Sequence, residues 1–338
     1  MDEYDEFPDS ELPSYVGTST FQKLPYCPDD ATLRAARPDV AIVGAPYDEG
    51  TTHRPGARFG PRAIRSAYYV TGKLWSIQTR TSIFDRIRCV DAGDAPVTPS
   101  RPDRSFRVIR EKVGRVAASG AVPIILGGDH SISYPAISAV AKARAPRRVG
   151  VVHFDAHADT GTDSWGAPLS HGTPMRRLIE EGHVKGSNFV QVGLRGYWPD
   201  QATFAWMDAQ GMRWHPMTEI EEKGAESVVA TAIAEALDGP DAVYLSVDID
   251  VLDPSVAPGT GTPEPGGLLA RELLRAVRQI VSQVDLVGMD VVEVCPAYDQ
   301  AEITATVAHR CVLEAISALA SKASVVGSRG LVERPSLP

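Results

Sequence analysis

Residues 149–159 read VGVVHFDAHAD, and this stretch decides the fold. Its first half, residues 149–154, is a short apolar run rich in valine, which is typical of a strand buried on both faces of a sheet. Its second half places Asp155, His157 and Asp159 alternately with alanine. Side chains at every second position of an extended chain share one face. The stretch therefore predicts a buried strand that delivers two carboxylates and an imidazole to one place.

Three further apolar runs end in polar residues in the same way. They are VPIILG (122–127) before Gly128-Asp129-His130, AVYLSV (242–247) before Asp248-Ile249-Asp250, and LVGMDV (286–291) before Glu293. The two glycines ahead of His130 allow the backbone to turn sharply there. Short strands that alternate with longer helical patterns predict βαβ units and a mostly parallel sheet. Because sites form at the carboxyl ends of parallel strands, we expect these clusters to share one site.

The rest of the chain follows the same alternation. The predicted strands are 40–44, 87–90, 122–126, 149–154, 189–193, 242–247 and 286–291, and the predicted helices are 103–118, 134–144, 174–181, 225–237, 270–281 and 302–321. No internal repeat or long linker divides them, so residues 39–325 are expected to form a single α/β domain. We expect residues 1–38, rich in proline, acidic and hydroxyl residues, to form an extended N-terminal arm, and residues 326–338 a C-terminal tail.

The composition excludes several classes of protein. The 338 residues include 34 Lys and Arg against 43 Asp and Glu, a formal net charge of −9. This acidic balance disfavours nucleic acid and anionic membrane surfaces as partners. The four cysteines form no CxxC pair, which argues against a zinc framework or a disulfide scaffold and favours a reducing compartment. The N-terminus lacks the basic and apolar regions of a signal peptide, and no apolar run predicts a membrane span. We therefore expect a cytoplasmic enzyme or binding protein.

The strand ends together supply the ligands of a metal centre. Four carboxylates and two imidazoles are available, namely those of His130, Asp155, His157, Asp159, Asp248 and Asp250. Each uncompensated buried carboxylate would cost several kcal/mol, and two divalent cations would neutralise the four negative charges. We predict a dinuclear centre in which Asp155 and Asp248 bridge ions about 3.5–4 Å apart. Such ligands suit Mn²⁺, Fe²⁺, Co²⁺, Ni²⁺ or Zn²⁺. A metallohydrolase of phosphate esters and a non-catalytic metal-binding subunit are the alternatives at this point.

These motifs resemble those of the ureohydrolase superfamily, which contains arginases, agmatinases and related guanidino-hydrolases. The resemblance runs through GGDHS (127–131), HFDAHAD (153–159), SVDIDVLDP (246–254), APGTGTPEPGG (257–267) and GMDVVEV (288–294), and RPGARFGP (54–61) is similar to the agmatinase branch. It implies a three-layer α/β/α sandwich around a mostly parallel sheet, in agreement with the strands predicted above. It also implies a homo-oligomer, a trimer or a hexamer.

The resemblance assigns roles to individual residues. It implies that one ion is held by His130, Asp155, Asp159 and Asp248, and the other by His157, Asp155, Asp248 and Asp250. The ions are expected to be Mn²⁺, with Ni²⁺ as the alternative. Asp159 is expected to accept the proton of the attacking hydroxide, and Glu293 to hold the guanidinium by paired hydrogen bonds. His171 is expected to protonate the leaving amine.

The implied activity is hydrolysis of a guanidino C–N bond to urea and an amine, with agmatine, which gives putrescine, as the expected substrate. The loop 160–170 lacks an arginase-like Ser-Gly-Asn stretch, which disfavours L-arginine as the substrate. A distal amine on the substrate would require a carboxylate such as Asp163, and a distal carboxylate would require a cation such as Arg54 or Arg195. Free guanidine would need a closed pocket, to which Trp165 could contribute. The alternatives are therefore 4-guanidinobutyrate, 3-guanidinopropionate, a proclavaminate-type substrate and guanidine itself.

Overall fold

The computed structural model describes residues 12–70 and 72–323. Its strands are β1 (Val40–Ala45), β2 (Trp75–Ser76), β3 (Thr81–Ser82), β4 (Cys89–Asp94), β5 (Val122–Gly127), β6 (Val149–Phe154), β7 (Phe189–Leu194), β8 (Arg213–Pro216), β9 (Ala242–Asp248) and β10 (Leu286–Val292). Eight of them form one sheet in the order β4-β1-β5-β10-β9-β6-β7-β8, and all of its neighbouring pairs are parallel. β2 and β3 form a separate antiparallel pair.

Helices cover both faces of the large sheet. They are α1 (Asp30–Ala36), α2 (Gly60–Ser66), α3 (Pro102–Ala118), α4 (Ser133–Arg144), α5 (Pro174–Glu180), α6 (Gln201–Ala209), α7 (Met217–Lys223), α8 (Ala225–Ala236), α9 (Ala270–Gln283) and α10 (Ile303–Ala323). The core on one face includes side chains of α3, α4, α5 and α6, and the core on the other includes those of α2, α7, α8, α9 and α10. The three-layer α/β/α sandwich implied by the resemblance is confirmed.

The apolar runs follow from this burial on two faces. In β1, Val40 and Ile42 pack into one core while Ala41 and Val43 pack into the other, and all four are at most 1% exposed. A parallel strand with helices on both sides has no solvent face, so its sequence is continuously apolar instead of alternating. Polar side chains that are to reach a ligand are therefore expected where the strands end, and a polar side chain inside a strand needs a buried hydrogen-bond partner.

The composition of residues 1–38 predicted an extended arm, but the described residues 12–38 include a helix. Within residues 12–38, α1 forms because the Asp29 side chain accepts hydrogen bonds from the backbone N–H groups of Ala31 and Thr32, which caps the helix. Phe21 is fully buried and stacks on His309 with ring centroids 4.1 Å apart. Apolar burial and a local cap, neither of which is visible in a Pro-rich acidic composition, explain the difference. Residues 1–11 and 326–338 lie outside the described part of the chain.

Several short elements were not predicted from the sequence. They are α1, α2, α6, α7, β2, β3 and β8. The strand predicted at 87–90 lies instead at Cys89–Asp94. The other predicted strands and helices are present, with ends displaced by no more than two residues.

α10 is long and apolar enough to cross a membrane by length and composition, but 72% of its most apolar window is buried inside the protein. Its side chains Ala308, Val312 and Ile316 are fully buried in the same core as α9. The helix therefore has the burial of a core helix of a globular domain.

Candidate metal centre

Four adjacent strands in the middle of the sheet carry the predicted site residues. These strands are β5, β10, β9 and β6 in spatial order. All run parallel, so their carboxyl ends meet at one edge of the sheet. Asp155 and Glu293 directly follow β6 and β10, and Asp248 is the last residue of β9. The structure thus places these strand ends side by side, as expected.

The turn that carries His130 requires glycine. A Cβ atom on Gly128 would lie 2.4 Å from the carbonyl oxygens of both Ala45 and Tyr47. No side chain fits there unless the backbone after β1 moves. The close approach of the two backbones allows the chain leaving β5 to bring the His130 ring directly over the ends of the neighbouring strands.

The first cluster surrounds His130. Its Nδ1 lies 3.0 Å from Oδ2 of each of Asp155, Asp159 and Asp248. His130 and Asp155 are fully buried, and the residues Asp159 and Asp248 are at most 6% exposed. Asp159 adopts a left-handed backbone conformation, with φ 53°. Such conformations are strained for residues other than glycine and concentrate at functional sites.

The second cluster surrounds His157. Its Nδ1 lies 3.1 Å from Oδ2 of Asp250 and 3.4 Å from Oδ1 of Asp155. Asp155 therefore directs one carboxylate oxygen to each histidine. Asp248 directs Oδ2 to His130, while its Oδ1 accepts a hydrogen bond of 2.8 Å from the backbone N–H of Asp250. Of the two predicted bridging residues, Asp155 is the one whose oxygens face both clusters.

These side chains fit a pair of divalent cations. The buried Nδ1 of His130 has no hydrogen-bond partner among the described residues, although three carboxylate oxygens lie 3.0 Å away. Ligand atoms at about 2.0–2.1 Å from one ion are typically about 3 Å from one another. The arrangement is that of a ligand shell and not that of an ordinary hydrogen-bonded network.

The electrostatics of the six side chains also favour cations. Burial and the charges of Asp250 and Asp155 raise the pKa of Asp248 well above its usual range. Burial likewise raises the pKa of Asp250, with Asp155 adding to the shift. Burial opposes the charge of His130, but the adjacent carboxylates of Asp155 and Asp159 outweigh it and raise its pKa well above the usual value. Without cations, the cluster can hold its charges only by keeping extra protons.

Glu293 and His171 lie beside the first cluster. Oε1 of Glu293 accepts a hydrogen bond of 2.8 Å from the backbone N–H of His130 and lies 2.9 Å from Nδ1 of His171. Oε2 of Glu293 is buried and has no hydrogen-bond partner within the described residues. Glu293 also has a left-handed backbone, with φ 63°. Its second oxygen is therefore available to a ligand.

His171 is held from two sides. Its Nε2 lies 2.7 Å from Oγ1 of Thr52 and accepts a hydrogen bond from the backbone N–H of the same residue. Burial disfavours the imidazolium, but the carboxylate of Glu293, assisted by Asp159 and Asp129, outweighs it and raises the pKa of His171 to about 9. The acidic surroundings therefore favour the imidazolium, whereas the hydrogen bond accepted at Nε2 requires the neutral ring, so the site can stabilise either protonation state of His171.

Sequence reasoning missed several buried polar residues behind the cluster. Ser246 lies 3.0 Å from Nε2 of His130 and donates a hydrogen bond of 2.7 Å to Asp290, which also accepts one from Tyr244. His153 lies 2.9 Å from Asp155. A usable signal was present, because His153 and Ser246 precede Asp155 and Asp248 by two positions and so share their face of the strand.

The residues expected to bind the distal end of the substrate differ in what they contact. Every nitrogen of the Arg195 guanidinium donates to backbone carbonyl oxygens, including that of Asp250 at 2.7 Å, so Arg195 is not free to bind a distal carboxylate. Asp163 caps its own turn by accepting a hydrogen bond from Gly166 N–H. Trp165 is 89% exposed. Arg54 lies over the ring of Tyr298, 5.2 Å from its centroid.

Comparison with known proteins identifies the family. A family model described as "Arginase family" matches residues 38–317. The chain belongs to the arginase family. It is therefore a metal-dependent hydrolase that cleaves guanidino C–N bonds, as the ureohydrolase resemblance implied.

Similar members of the family differ in substrate. The chain is 41% identical over 321 residues to a guanidinopropionase of Pseudomonas aeruginosa, with 93% of this chain and 96% of that protein covered. It is 42% identical to a mitochondrial agmatinase of Gallus gallus, with 90% and 86% covered. Among solved structures, proclavaminate amidino hydrolase from Streptomyces clavuligerus has a TM-score of 0.82 and 38% identity, with 92% of this chain and 99% of that chain covered.

Proposed function

We propose that this chain hydrolyses a linear guanidino compound to urea and an amine at two divalent cations held between His130 and His157. The observation that carries the proposal is the position of Asp155, whose two carboxylate oxygens face the two histidines at 3.0 and 3.4 Å. One buried carboxylate shared by two ligand clusters is the arrangement that a dinuclear site needs. The ligands proposed for it are His130, Asp155, His157, Asp159, Asp248 and Asp250.

Two divalent cations, when bound there, would lower the pKa of water from 15.7 to about 7 and so supply a nucleophile at neutral pH. We propose that Asp159 accepts the proton of that nucleophile. Its Oδ2 is 3.0 Å from His130 Nδ1 and its residue is 6% exposed, so the carboxylate is confined to the cluster.

Glu293 is the proposed partner of the guanidinium group. Its buried Oε2 has no hydrogen-bond partner among the described side chains and backbone groups, which is costly unless a donor arrives with the substrate. A Cβ on Gly261 would lie 3.2 Å from this oxygen and 3.1 Å from the carbonyl oxygen of Arg54. The absent side chain of Gly261 therefore leaves space beside Oε2 that a flat cation can use.

His171 is the proposed acid for the leaving amine. It contacts Glu293 through Nδ1 at 2.9 Å, so it would lie next to a guanidinium held by that residue. Because its surroundings stabilise the protonated ring as well as the neutral one, His171 can give a proton to the leaving nitrogen when the C–N bond breaks. A protonated amine leaves far more easily than an amide anion.

The substrate proposed is agmatine, with guanidino acids and guanidine as the alternatives. Arg195 is excluded as the ligand of a distal carboxylate by its hydrogen bonds to carbonyl oxygens. Asp163 keeps an exposed carboxylate that a distal amine could meet, and Arg54 is the remaining candidate for a distal acid. The similarity to both an agmatinase and a guanidinopropionase supports testing the two classes together.

We further propose Mn²⁺ as the metal, with Ni²⁺ as the alternative, since carboxylate and imidazole ligands suit both. A homotrimer or homohexamer in the cytoplasm is also proposed, on the resemblance to the family and on the acidic, disulfide-free composition.

The test is urea release by protein loaded with Mn²⁺ or with Ni²⁺. The substrates are agmatine, 4-guanidinobutyrate, 3-guanidinopropionate, arginine and guanidine, each with its amine product measured in parallel. The proposal predicts equal amounts of urea and amine from one linear substrate, and loss of both on adding a chelator. Urea release that persists after complete metal removal would refute it.

A further inference from the structure

His153 is a buried histidine directly behind the metal cluster. It lies on β6, is fully buried, and its ring centroid is 4.9 Å from that of His130. Its Nε2 is 2.9 Å from Oδ2 of Asp155, the same oxygen that faces His130. By position alone, His153 could be either a further metal ligand or a hydrogen-bond donor to a ligand.

The neighbouring amide decides which nitrogen of His153 carries the proton. Nε2 of Gln191 lies 2.6 Å from the carbonyl oxygen of Ala158, which can only accept a hydrogen bond. The amide NH₂ group must therefore face Ala158, and the opposite orientation of the amide is excluded. The same nitrogen lies 3.0 Å from Nδ1 of His153. Its second hydrogen points at Nδ1, so Nδ1 is an acceptor and the ring proton is on Nε2.

We propose that His153 is a positioning residue that donates Nε2–H to Asp155 and is not itself a metal ligand. This inference rests on the proposed dinuclear function. A protonated Nε2 has no lone pair for a cation. Its hydrogen bond to Oδ2 of Asp155, together with the one that Oδ1 accepts from the backbone N–H of His157 at 2.7 Å, holds the carboxylate with one oxygen toward each histidine. Phe189 supports the His153 ring from the side, with centroids 6.0 Å apart at 82°.

The importance of this hydrogen bond follows from the position of Asp155. A carboxylate that serves two cations loses both when it rotates, whereas one that serves a single cation affects only that one. Removal of partners that hydrogen-bond to metal ligands typically costs about 10–100-fold in metal affinity or activity. We expect a loss of that size, and we expect it at both sites together.

The experiment measures Mn²⁺ binding by three forms of the full chain after metal removal. They are the wild type, His153→Phe, which has no donor, and His153→Gln, whose amide can donate in place of Nε2. Titration with Mn²⁺ gives stoichiometry and affinity, and electron paramagnetic resonance reports magnetic coupling between paired ions. We expect two coupled ions in the wild type, binding 10–100-fold weaker with less coupling in His153→Phe, and recovery of most of that loss in His153→Gln. Circular dichroism of the metal-free forms verifies folding.

Three results would overturn the inference. One is unchanged affinity and coupling in a folded His153→Phe protein. Another is an equal loss in the Phe and Gln variants, which would show that the imidazole itself is required. If instead His153→Phe does not fold, ¹⁵N nuclear magnetic resonance of the metal-free wild type must show the His153 ring protonated on Nε2; a proton on Nδ1 alone is the third. A wild type that binds coupled Mn²⁺ but releases no urea would refute the proposed function and leave this inference standing.

Discussion

Replacing Asp248 by asparagine should stabilise the metal-free protein while abolishing its metal-dependent activity. The oxygens of Asp155, Asp159 and Asp248 each lie 3.0 Å from His130 Nδ1. Any two of them are therefore no more than about 6 Å apart, and two carboxylates at that separation repel by about 3 kcal/mol at an effective dielectric constant of about 20. Asparagine keeps the shape of the side chain and removes this repulsion.

The expected gain in the free energy of unfolding is smaller than the full repulsion between Asp248 and the carboxylates of Asp155 and Asp159. Burial and the neighbouring acids raise the pKa of Asp248 well above its usual range, so protonation already relieves part of the cost, and a charged His130 offsets more. We expect about 1–3 kcal/mol at pH 7.5. Because the folded protein holds the Asp248 proton more tightly than the unfolded chain does, the gain should disappear as the pH falls to the usual value of 3.8.

The assay is urea-induced unfolding of metal-free protein at pH 7.5 and pH 4, repeated with saturating Mn²⁺. Asp85→Asn, an exposed carboxylate outside the cluster, is the matched control and should change stability by less than about 0.5 kcal/mol. With Mn²⁺ the order should reverse, since wild type gains binding energy that the variant lacks. A metal-free Asp248→Asn protein that is less stable than wild type at pH 7.5 would refute this reasoning.

Two further predictions concern histidines in different environments. His171→Phe should retain both metal ions and lose about 10²–10⁴-fold in kcat, because His171 contacts Glu293 and Thr52 and not the carboxylate cluster; loss of metal, measured by atomic absorption, would contradict the assignment. Burial lowers the pKa of His309 to about 4. As the pH falls, the unfolded chain therefore binds a proton at His309 before the folded protein does. The free energy of unfolding should be unaffected by His309 above about pH 6.5 and should fall by about 3 kcal/mol on acidification to pH 4. Unfolding curves of metal-free wild type and His309→Gln, measured at both pH values, should show that loss only in the wild type. An equal loss of stability in the two proteins would contradict this prediction.

The central sheet was predictable because its strands are buried on both faces. A continuously apolar run such as Val149–Phe154 leaves few alternatives to a parallel strand, and its bounds are found as predicted. The end of each run also marks the site. By contrast, β8 reads RWHP at an edge of the sheet, and α1 depends on the local capping box formed by Asp29 and Thr32. Short elements of this kind depend on local contacts that no periodic pattern announces.

The metal cluster could be anticipated, but the uses of individual polar groups could not. Asp155 and Asp248 stand at strand ends, where parallel topology alone brings them together. Arg195 was expected to meet substrate, yet its donors are taken by carbonyl oxygens from residues 250–252 and 264–265. These acceptors lie more than 50 positions away along the chain. Only the folded backbone shows that this cation is already surrounded.

The dinuclear centre is tested most directly by an anomalous difference map from crystals of the Mn²⁺-loaded protein at the manganese absorption edge. Two peaks separated by about 3.5–4 Å are expected, one next to Nδ1 of His130 and one next to Nδ1 of His157, with the Asp155 carboxylate between them. A single peak, or a pair of peaks that Asp155 does not join, would contradict it.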